Sequence, residues 1–175
     1  QMEKIERFRG CLLGLAVGDA LGTTLEFSVP GTFRPLTKMS GGGPFGLEPG
    51  QWTDDTAMAL CLAESLLARR GFDPKDQMER YRRWWREGYL SCTGKCFDIG
   101  NTVATALRRY ERSSDPFSGP TEPLTAGNGS LMRIIPVALF FRKPRPSHHF
   151  SIERLFEAVM ANVEKREPRF ADPAE

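Results

Sequence analysis

The sequence predicts an all-α protein, and three observations support that fold class. Apolar residues recur every three or four positions in several separate stretches, as they do along one face of a helix. Capping residues and glycines flank those stretches, and no stretch keeps the two-residue alternation of a strand. The chain has 175 residues, 40% of them hydrophobic, which is enough for one domain with a real core. We therefore expect a bundle of helices.

The first predicted helix spans residues 2–22. Its inward face carries apolar side chains at helical spacing, namely Ile5, Phe8, Leu12 and Leu15. Asp19 continues that face, and a carboxylate there is costly to bury unless it is hydrogen-bonded or binds a cation. Asp19 is therefore a candidate ligand or supporting residue, with partial exposure near the helix end as the alternative. A neighbouring strip has a glycine at every fourth position and favours close packing of another helix. Its members are Gly10, Gly14, Gly18 and Gly22.

Residues 29–50 predict a long loop, because proline and glycine recur throughout them. A loop of this length is typical of a lid or of a disordered segment. No Gly-Lys-Ser/Thr sequence follows the glycines, which excludes a phosphate-binding loop of that kind.

The central stretch is Gln51–Thr56, which leads directly into an apolar helix over residues 57–68. The helical spacing of its apolar residues predicts that this helix is mostly buried. Thr53 or Asp54 is suited to cap its first turn. A cap needs only one side chain, whereas the stretch supplies four oxygen-bearing side chains in a row, of the kind that bind Mg²⁺. The stretch is thus either an ordinary helix start or a site for a divalent cation.

Two more helices follow. An Asp-Pro pair at residues 73–74 predicts a helix that ends near Glu87. The segment Phe97–Thr102 opens another helix over residues 103–110, and Asp98 is interpreted first as its cap, with a ligand role as the alternative. Arginines on both helices are interpreted as solvated faces rather than as a phosphate groove.

A glycine-containing turn, Gly127–Ser130, precedes an apolar run over residues 134–141. Glycines before a helix let backbone N–H groups approach an anion, and the side chains of Ser130 and Arg133 add donors. The turn is thus a candidate seat for a pyrophosphate. Because Asn-Gly is also common in ordinary turns, a purely structural turn is the alternative.

The character of the chain changes after residue 141. Residues 142–175 predict a basic, proline-containing linker followed by an amphipathic helix over residues 151–166, so we divide the chain into a helical domain, 1–141, and this terminal segment. The adjacent histidines in the linker, His148 and His149, are interpreted as solvated.

Charge and cysteine content exclude several classes of protein. A net charge of +2 gives no sign of a nucleic-acid or membrane partner. Cys11 and Cys61 lie in apolar helical runs and are expected to be buried thiols, while the spacing of Cys92 and Cys96 does not suit a zinc site. No signal peptide is visible, so we expect a reducing, cytoplasmic setting.

Four separated motifs together resemble those of the ADP-ribosylglycohydrolase family, in the same order. They are Gly18–Gly22 with Glu26–Phe27, Trp52–Thr56, Phe97–Thr102 and Gly127–Arg133. The resemblance covers residues 6–141. It implies a compact orthogonal helical bundle with a two-Mg²⁺ site. It also implies removal of ADP-ribose from modified side chains, arginine first among them, or from small ADP-ribose conjugates.

The resemblance also assigns roles to individual residues. Thr53, Asp54 and Asp55 are similar to the family's metal ligands, and both aspartates join the catalytic set. Glu26 resembles the carboxylate beside the ribose and completes that set. The expected substrate-binding residues are Asp19, Asp98, Gly127, Asn128, Gly129 and Ser130. The implied cofactor is Mg²⁺, and the implied partner is an ADP-ribosylated protein or an ADP-ribose conjugate.

The chain departs from the family in one respect. Members supply an Asp-x-Asp-Thr cluster near their C-terminus that completes the metal site, and this sequence has none, so ligands for a second ion are missing. We expect a truncated enzyme, an enzyme completed by a second chain, or a degenerate relative. The alternative function is accordingly ADP-ribose binding or a structural role without turnover. A helical metal-dependent phosphohydrolase is a third interpretation, which the lack of His and Asp pairs on a second helix disfavours.

Overall fold

A computed structural model describes residues 4–141, and the predicted linker, terminal helix and histidine pair lie outside the described residues. Within this range the chain forms five α-helices: α1 Lys4–Gly22, α2 Asp54–Arg69, α3 Pro74–Glu87, α4 Asn101–Ser113 and α5 Ile135–Phe140. Short 3-10 helices span Thr23–Leu25, Pro123–Thr125 and Asn128–Ser130. A single isolated bridge joins Gly42 to Leu47 in the part described. The all-α prediction is confirmed.

Helix α2 lies at the centre of the fold and contacts α1, α3 and α5, while α4 packs on α3. Its predicted burial is confirmed, since Met58 and Cys61 are fully inaccessible to solvent. The rest of the core comes from neighbouring helices, with Trp84 of α3 and Leu107 of α4 almost completely buried. Burial of large apolar side chains against one helix is the main source of stability in such a bundle.

Local capping explains where the helices begin. Asp73 accepts hydrogen bonds from the backbone N–H groups of Lys75 and Asp76, at 3.1 and 3.0 Å, and Pro74 occupies the first position of α3. The predicted start of α3 is therefore confirmed. Helix α5 is shorter than the apolar run predicted, because turns occupy the chain up to residue 134.

A polar network joins α2 to α3. Glu64 of α2 accepts the phenolic hydrogen bond of Tyr89, at 2.7 and 2.6 Å to its two oxygens, and also pairs with Arg80. Arg80 in turn donates to Asp76 at 2.7 Å. The Arg80 side chain is only 15% exposed, so its assignment to a solvated face was wrong. Interhelical ion pairs with this much burial require each partner to be hydrogen-bonded.

Much of α1 faces outward. Leu13 and Val17 are 40% and 52% exposed, and Cys11, which we expected to be buried, is exposed. A Cβ atom added to any glycine of the four-residue strip would meet no described neighbour within 4 Å. The close helix packing predicted for that strip is therefore not present among residues 4–141. None of the helices described is both long enough and apolar enough to cross a membrane.

Candidate functional site

The first turn of α2 is capped by a side chain from another helix. Thr53 occupies the N-cap position with extended backbone, but its own side chain makes no capping bond. The carboxylate of Asp19 accepts from the Thr53 backbone N–H, 3.0 Å to each oxygen, and from the Thr53 hydroxyl at 2.8 Å. It also accepts from the Thr56 backbone N–H at 3.1 Å and the Thr56 hydroxyl at 2.6 Å. Asp19 therefore performs the role that sequence reasoning gave to Thr53 or Asp54.

This arrangement has a simple electrostatic reason. The first N–H groups of a helix have no partner within it and carry partial positive charge, so an anion at that position is stabilised. Asp19 lies in the last turn of α1, close to the start of α2, and its carboxylate satisfies two of these N–H groups. The hydroxyls of Thr53 and Thr56 are fixed by the same carboxylate. The orientation of the first turn of α2 is thus set by α1.

Asp54 and Asp55 follow at the first two positions of α2. Asp54 is 7% exposed, and its pKa is raised to about 8, first by burial and then by the negative charges of Asp98, Asp55 and Asp19. Burial also raises the pKa of Asp55, together with the charges of Asp19 and Glu26. A carboxylate placed among other carboxylates and away from water is unfavourable in its charged form. Such a group either keeps its proton or attracts a cation.

Glu26 and Asp98 also belong to this acidic group. Glu26 follows the 3-10 helix after α1, and Thr23 donates a long hydrogen bond of 3.4 Å to its carboxylate. Asp98 lies in the loop before α4 with a φ of 58°. Burial and the charge of Glu26 raise the pKa of Asp98 to about 7.

The interpretation of Asp98 as a helix cap was wrong. The N-cap of α4 is Gly100, and no side chain caps that helix end. Because Asp98 adopts the left-handed backbone conformation two residues earlier, its carboxyl group interacts with Glu26, Asp55 and Asp19 instead. Asn and Asp tolerate that conformation better than most side chains do.

The donor set suits part of the coordination shell of a hard cation. Thr53, Asp54 and Asp55 offer a hydroxyl and two carboxylates, and Mg²⁺ in proteins is often held by one or two carboxylates with water in the remaining positions. The carboxylates around Asp54 raise its pKa, so a divalent cation would relieve their repulsion. Within residues 4–141, no group of three His, Cys, Asp or Glu side chains converges on one metal position. These residues therefore suit a Mg²⁺ ion that is held by two carboxylates and by water, rather than one whose ligands all come from the protein.

The glycine-containing turn lies at the same end of α4 as Asp98. A Cβ atom on Gly129 would come within 2.7 Å of the Val103 side chain, and one on Gly127 within 3.2 Å of the Thr102 hydroxyl. Thr102 also donates to the carbonyl of Thr125 at 2.9 Å. The turn Gly127–Ser130 thus packs closely on the first turn of α4, with Asn128 and Ser130 exposed.

Arg133 lies between that turn and the core. Its guanidinium lies 4.7 Å from the centre of the Tyr81 ring and 3.5 Å from the sulfur of Met58, and its Nη1 atom is 3.6 Å from a Cβ atom built on Gly129. The role of Arg133 as an added donor for a pyrophosphate stays a prediction. The contact with Tyr81 is a cation–π interaction, which stabilises a guanidinium that is partly removed from water.

Three phenylalanines form an aromatic row beside the acidic group, and sequence reasoning gave them no role. Phe45 lies between Phe27 and Phe97, with ring centres 6.3 Å and 5.2 Å away. Phe27 directly follows Glu26, and Phe97 directly precedes Asp98. The positions of Phe27 and Phe97 next to acidic residues are visible in the sequence. The sequence does not show that a phenylalanine from residues 29–50 packs between them.

The predicted residues thus separate into two groups. The structure brings together five acidic side chains that influence one another electrostatically, namely Asp19, Glu26, Asp54, Asp55 and Asp98. The second group, Gly127–Ser130, is placed on α4, and its contacts are with that helix. Thr56 was counted only as one oxygen among four, yet its hydroxyl makes the shortest hydrogen bond to Asp19.

Comparison with known proteins gives consistent results. The sequence model of the family described as ADP-ribosylglycohydrolase matches residues 1–169. The ADP-ribosylarginine hydrolase Tri1 of Serratia proteamaculans is 48% identical over 143 residues, which are 82% of this chain and 39% of that protein. The ADP-ribosyl-[dinitrogen reductase] glycohydrolase of Rhodospirillum rubrum is 41% identical over 138 residues, 77% of this chain and 44% of that protein.

A solved structure gives the same result for the fold. A chain of an "ADP-ribosylglycohydrolase-related protein complex" superposes with a TM-score of 0.67 at 44% sequence identity, covering 97% of this chain and 52% of the solved chain. The present chain therefore spans roughly two fifths of the length of the curated relatives described above.

Proposed function

Because the chain belongs to the ADP-ribosylglycohydrolase family, we propose that it acts as a Mg²⁺-dependent hydrolase that removes ADP-ribose from modified arginine side chains. Two relatives of the chain are named for ADP-ribosylarginine or for an ADP-ribosylated protein, which supports this class of substrate. The expected partner is accordingly an ADP-ribosylated protein or a smaller ADP-ribose conjugate.

The clustering of acidic groups around the start of α2 carries the proposal, because Asp19, Asp54 and Asp55 lie there and the charges of Glu26 and Asp98 act on the two first-turn aspartates. Asp54 is influenced by Asp98, Asp55 and Asp19, and Asp55 by Glu26 as well. Burying Asp54 and Asp55 beside other negative charges lowers the stability of the fold, so a purely structural role gives no reason for these two side chains. Clustered acidic groups with perturbed pKa values are more typical of functional sites.

In this proposal Thr53, Asp54 and Asp55 hold the metal ion. When bound, Mg²⁺ would orient the ribose hydroxyls of the substrate and offset negative charge at the site. Asp19 keeps these ligands in place through its hydrogen bonds to both ends of the first turn of α2. The remaining coordination positions are left to water or to a second polypeptide.

Glu26 and Asp98 would act on the sugar. Cleavage of a glycosidic bond develops positive charge at the anomeric carbon, and a carboxylate held nearby stabilises that charge. Glu26, whose charge acts on Asp55 and Asp98, would also orient an attacking water. Asp98, on which the charge of Glu26 acts, would help to hold the ribose.

The turn Gly127–Ser130 would bind the diphosphate. Its glycines leave the backbone accessible, and Asn128 and Ser130 expose polar side chains to solvent. Successive backbone N–H groups in a turn provide partial positive charge that suits phosphate oxygens. The packing of the turn on α4, close in sequence to Asp98, supports a ligand that extends from the ribose towards this turn.

The experiment is release of ADP-ribose from an ADP-ribosylated arginine peptide, with Mg²⁺ and with EDTA. The proposal expects turnover in Mg²⁺, none in EDTA, and loss of turnover in the Glu26→Gln variant. An intact, folded chain that binds Mg²⁺ yet releases no ADP-ribose would reject the hydrolase.

A second candidate, ADP-ribose binding without turnover, is favoured by one observation. Within residues 4–141 only part of a metal shell is assembled, and the sequence contains no Asp-x-Asp-Thr cluster. Calorimetric titration with ADP-ribose separates the two candidates, since a binding protein would show saturable affinity together with absent turnover.

A further inference from the structure

Glu26 and Asp98 come from loops that are remote in sequence, yet they lie near enough for the charge of Glu26 to act on Asp98. The main-chain hydrogen bonds around Glu26 are local. The Glu26 N–H donates to the Thr23 carbonyl at 3.2 Å, and the Ser28 N–H donates to the Leu25 carbonyl at 2.9 Å. These bonds shape the turn but do not attach it to the loop of Asp98. Two carboxyl groups at close range also repel each other when both are charged. The backbone hydrogen bonds of the turn therefore do not explain how Glu26 is held near Asp98.

The aromatic row supplies a contact between the two loops. Phe45 packs edge-on against Phe27, with an interplanar angle of 73°, and packs tilted at 56° against Phe97. Aromatic pairs in these geometries contribute roughly 0.5–1.5 kcal/mol each beyond their buried area. Because each outer ring is the immediate neighbour of one carboxyl residue, a fixed position for Phe45 fixes the spacing of Glu26 and Asp98.

Phe45 itself is held by its own loop. Gly42 and Leu47 exchange two backbone hydrogen bonds, at 2.7 and 3.0 Å, around the turn that carries Phe45. The Thr24 hydroxyl donates to the carbonyl of Gly41 at 3.2 Å, and Gly43 lies against the backbone of Thr23. The loop is thus attached to the 3-10 helix that leads into Glu26.

The backbone at Phe27 is consistent with this role. Phe27 adopts a φ of 60°, a left-handed conformation that is uncommon for an aromatic residue, and the residue is 77% exposed. The hydrophobic effect alone therefore gives little reason for its position. The contact with Phe45 is what this conformation makes possible.

We propose that Phe45 is a positioning residue, which holds Glu26 opposite Asp98 by packing between Phe27 and Phe97. Its effect on catalysis rests on the hydrolase function proposed above, whereas its effect on the two loops does not. Phe45 touches neither the metal ligands nor the reacting atoms in this proposal, and acts only through its neighbours.

The first test is amide hydrogen exchange of the folded chain, measured residue by residue by NMR. In Phe45→Ala, exchange at Glu26 and Ser28 is expected to accelerate at least fivefold, with α3 amides unchanged. Phe45→Tyr, which keeps the ring, and Phe33→Ala, which removes another phenylalanine of the same loop, are expected to match the parent. Unchanged exchange at Glu26, or equal acceleration in α3, would overturn the proposal.

Two further measurements test the role of Phe45. If Phe45→Ala fails to fold, Phe27→Ala removes an exposed ring from the other end of the same contact, and the same acceleration is expected at Ser28. In a chain that turns over substrate, Phe45→Ala is expected to lower kcat at least tenfold with KM changed less than threefold, and Phe45→Tyr to restore kcat. Normal kcat in Phe45→Ala would overturn the proposal, while absence of turnover in the parent would reject the hydrolase and leave the exchange result decisive.

Discussion

The Thr56 hydroxyl of α2 donates a 2.6 Å hydrogen bond to the carboxylate of Asp19 in α1, and the Thr56 backbone N–H donates to the same oxygen at 3.1 Å. This pair joins the end of one helix to the start of another. Charge-assisted hydrogen bonds of this length are among the stronger polar contacts in proteins. The geometry of the acidic group therefore depends on Asp19 as much as on Asp54 and Asp55.

The first prediction concerns Asp19→Asn. The variant keeps the size of the side chain but replaces one accepting oxygen with an amide NH2 group. That NH2 group would face N–H and O–H donors, with which it cannot form hydrogen bonds. We expect a loss of about 2–3 kcal/mol in the free energy of unfolding, measured in urea. Removing one of several clustered negative charges would by itself stabilise the protein. A variant as stable as the parent would thus show that the relief of charge repulsion offsets the loss of these hydrogen bonds.

Thr56 provides the matched test of the same contact. Thr56→Val preserves shape but removes the hydroxyl, and should cost about 1–2 kcal/mol because an Asp19 carboxylate oxygen loses one of its donors. Thr56→Ser keeps the hydroxyl and should cost less. If the two variants unfold at the same urea concentration, the hydroxyl contact is not what stabilises the first turn of α2.

The second prediction concerns pH. The pKa of Asp54 is raised to about 8 in the folded chain from an ordinary value of 3.8, so the folded state holds a proton that the unfolded state releases. Without metal, stability should therefore fall as pH rises from about 5 towards 8, by on the order of 2 kcal/mol. Thermal melts in EDTA at pH 5.5 and pH 8.5 measure this, with an expected drop in Tm of roughly 5 °C.

The variant Asp54→Asn should reduce that pH dependence, because an amide does not titrate, while Asp55 and Asp98, whose pKa values are also raised, should keep part of it. Glu48→Gln, which neutralises an exposed carboxylate that is not among the charges acting on Asp54, serves as its control. A pH profile that is the same in Asp54→Asn and in the parent would assign the fall in stability to other groups.

The third prediction compares two glycines of one loop. Both Gly42 and Gly43 have positive φ, 85° and 67°, so alanine at either position carries a backbone cost. Only at Gly43 would the new Cβ meet a neighbour, the Thr23 carbonyl at 2.5 Å. We expect Gly43→Ala to lose about 1–3 kcal/mol more than Gly42→Ala in chemical unfolding. Equal losses would place the loop away from Thr23.

The fourth prediction concerns the contact between α2 and the end of α3. Tyr89→Phe removes the hydrogen bonds from the phenol to Glu64 and should cost about 1–2 kcal/mol. A double-mutant cycle with Glu64→Gln should give a coupling energy above about 0.5 kcal/mol. Strict additivity of the two changes would mean that the hydroxyl and the carboxylate do not interact in solution.

The helices could be predicted from the sequence where the signal is local. Asp73 and Pro74 sufficed to place the start of α3, because a capping side chain and a proline act on the residues next to them. The central helix was equally clear from its apolar spacing. The same local rule was wrong for Asp98. Its carboxyl group is near the charges of Glu26 and Asp55, and it does not cap the following helix.

The site could be predicted in part. Glu26, Asp54 and Asp55 were identified by residue type and by family resemblance, and Asp19 by its place at the end of an apolar stripe. That Asp19 caps α2, or that Phe45 lies between Phe27 and Phe97, depends on contacts between distant parts of the chain. Periodicity describes a helix face but not what covers it, which is why Cys11 was expected to be buried and is exposed.

The most direct test of the central claim, that the start of α2 is a metal site, is calorimetric titration of Mg²⁺ into the parent chain and into Asp54→Asn/Asp55→Asn, with Glu48→Gln as the control. We expect saturable binding in the parent, unchanged affinity in the control and affinity at least tenfold weaker in the double variant. Equal Mg²⁺ affinity in all three proteins would contradict the claim.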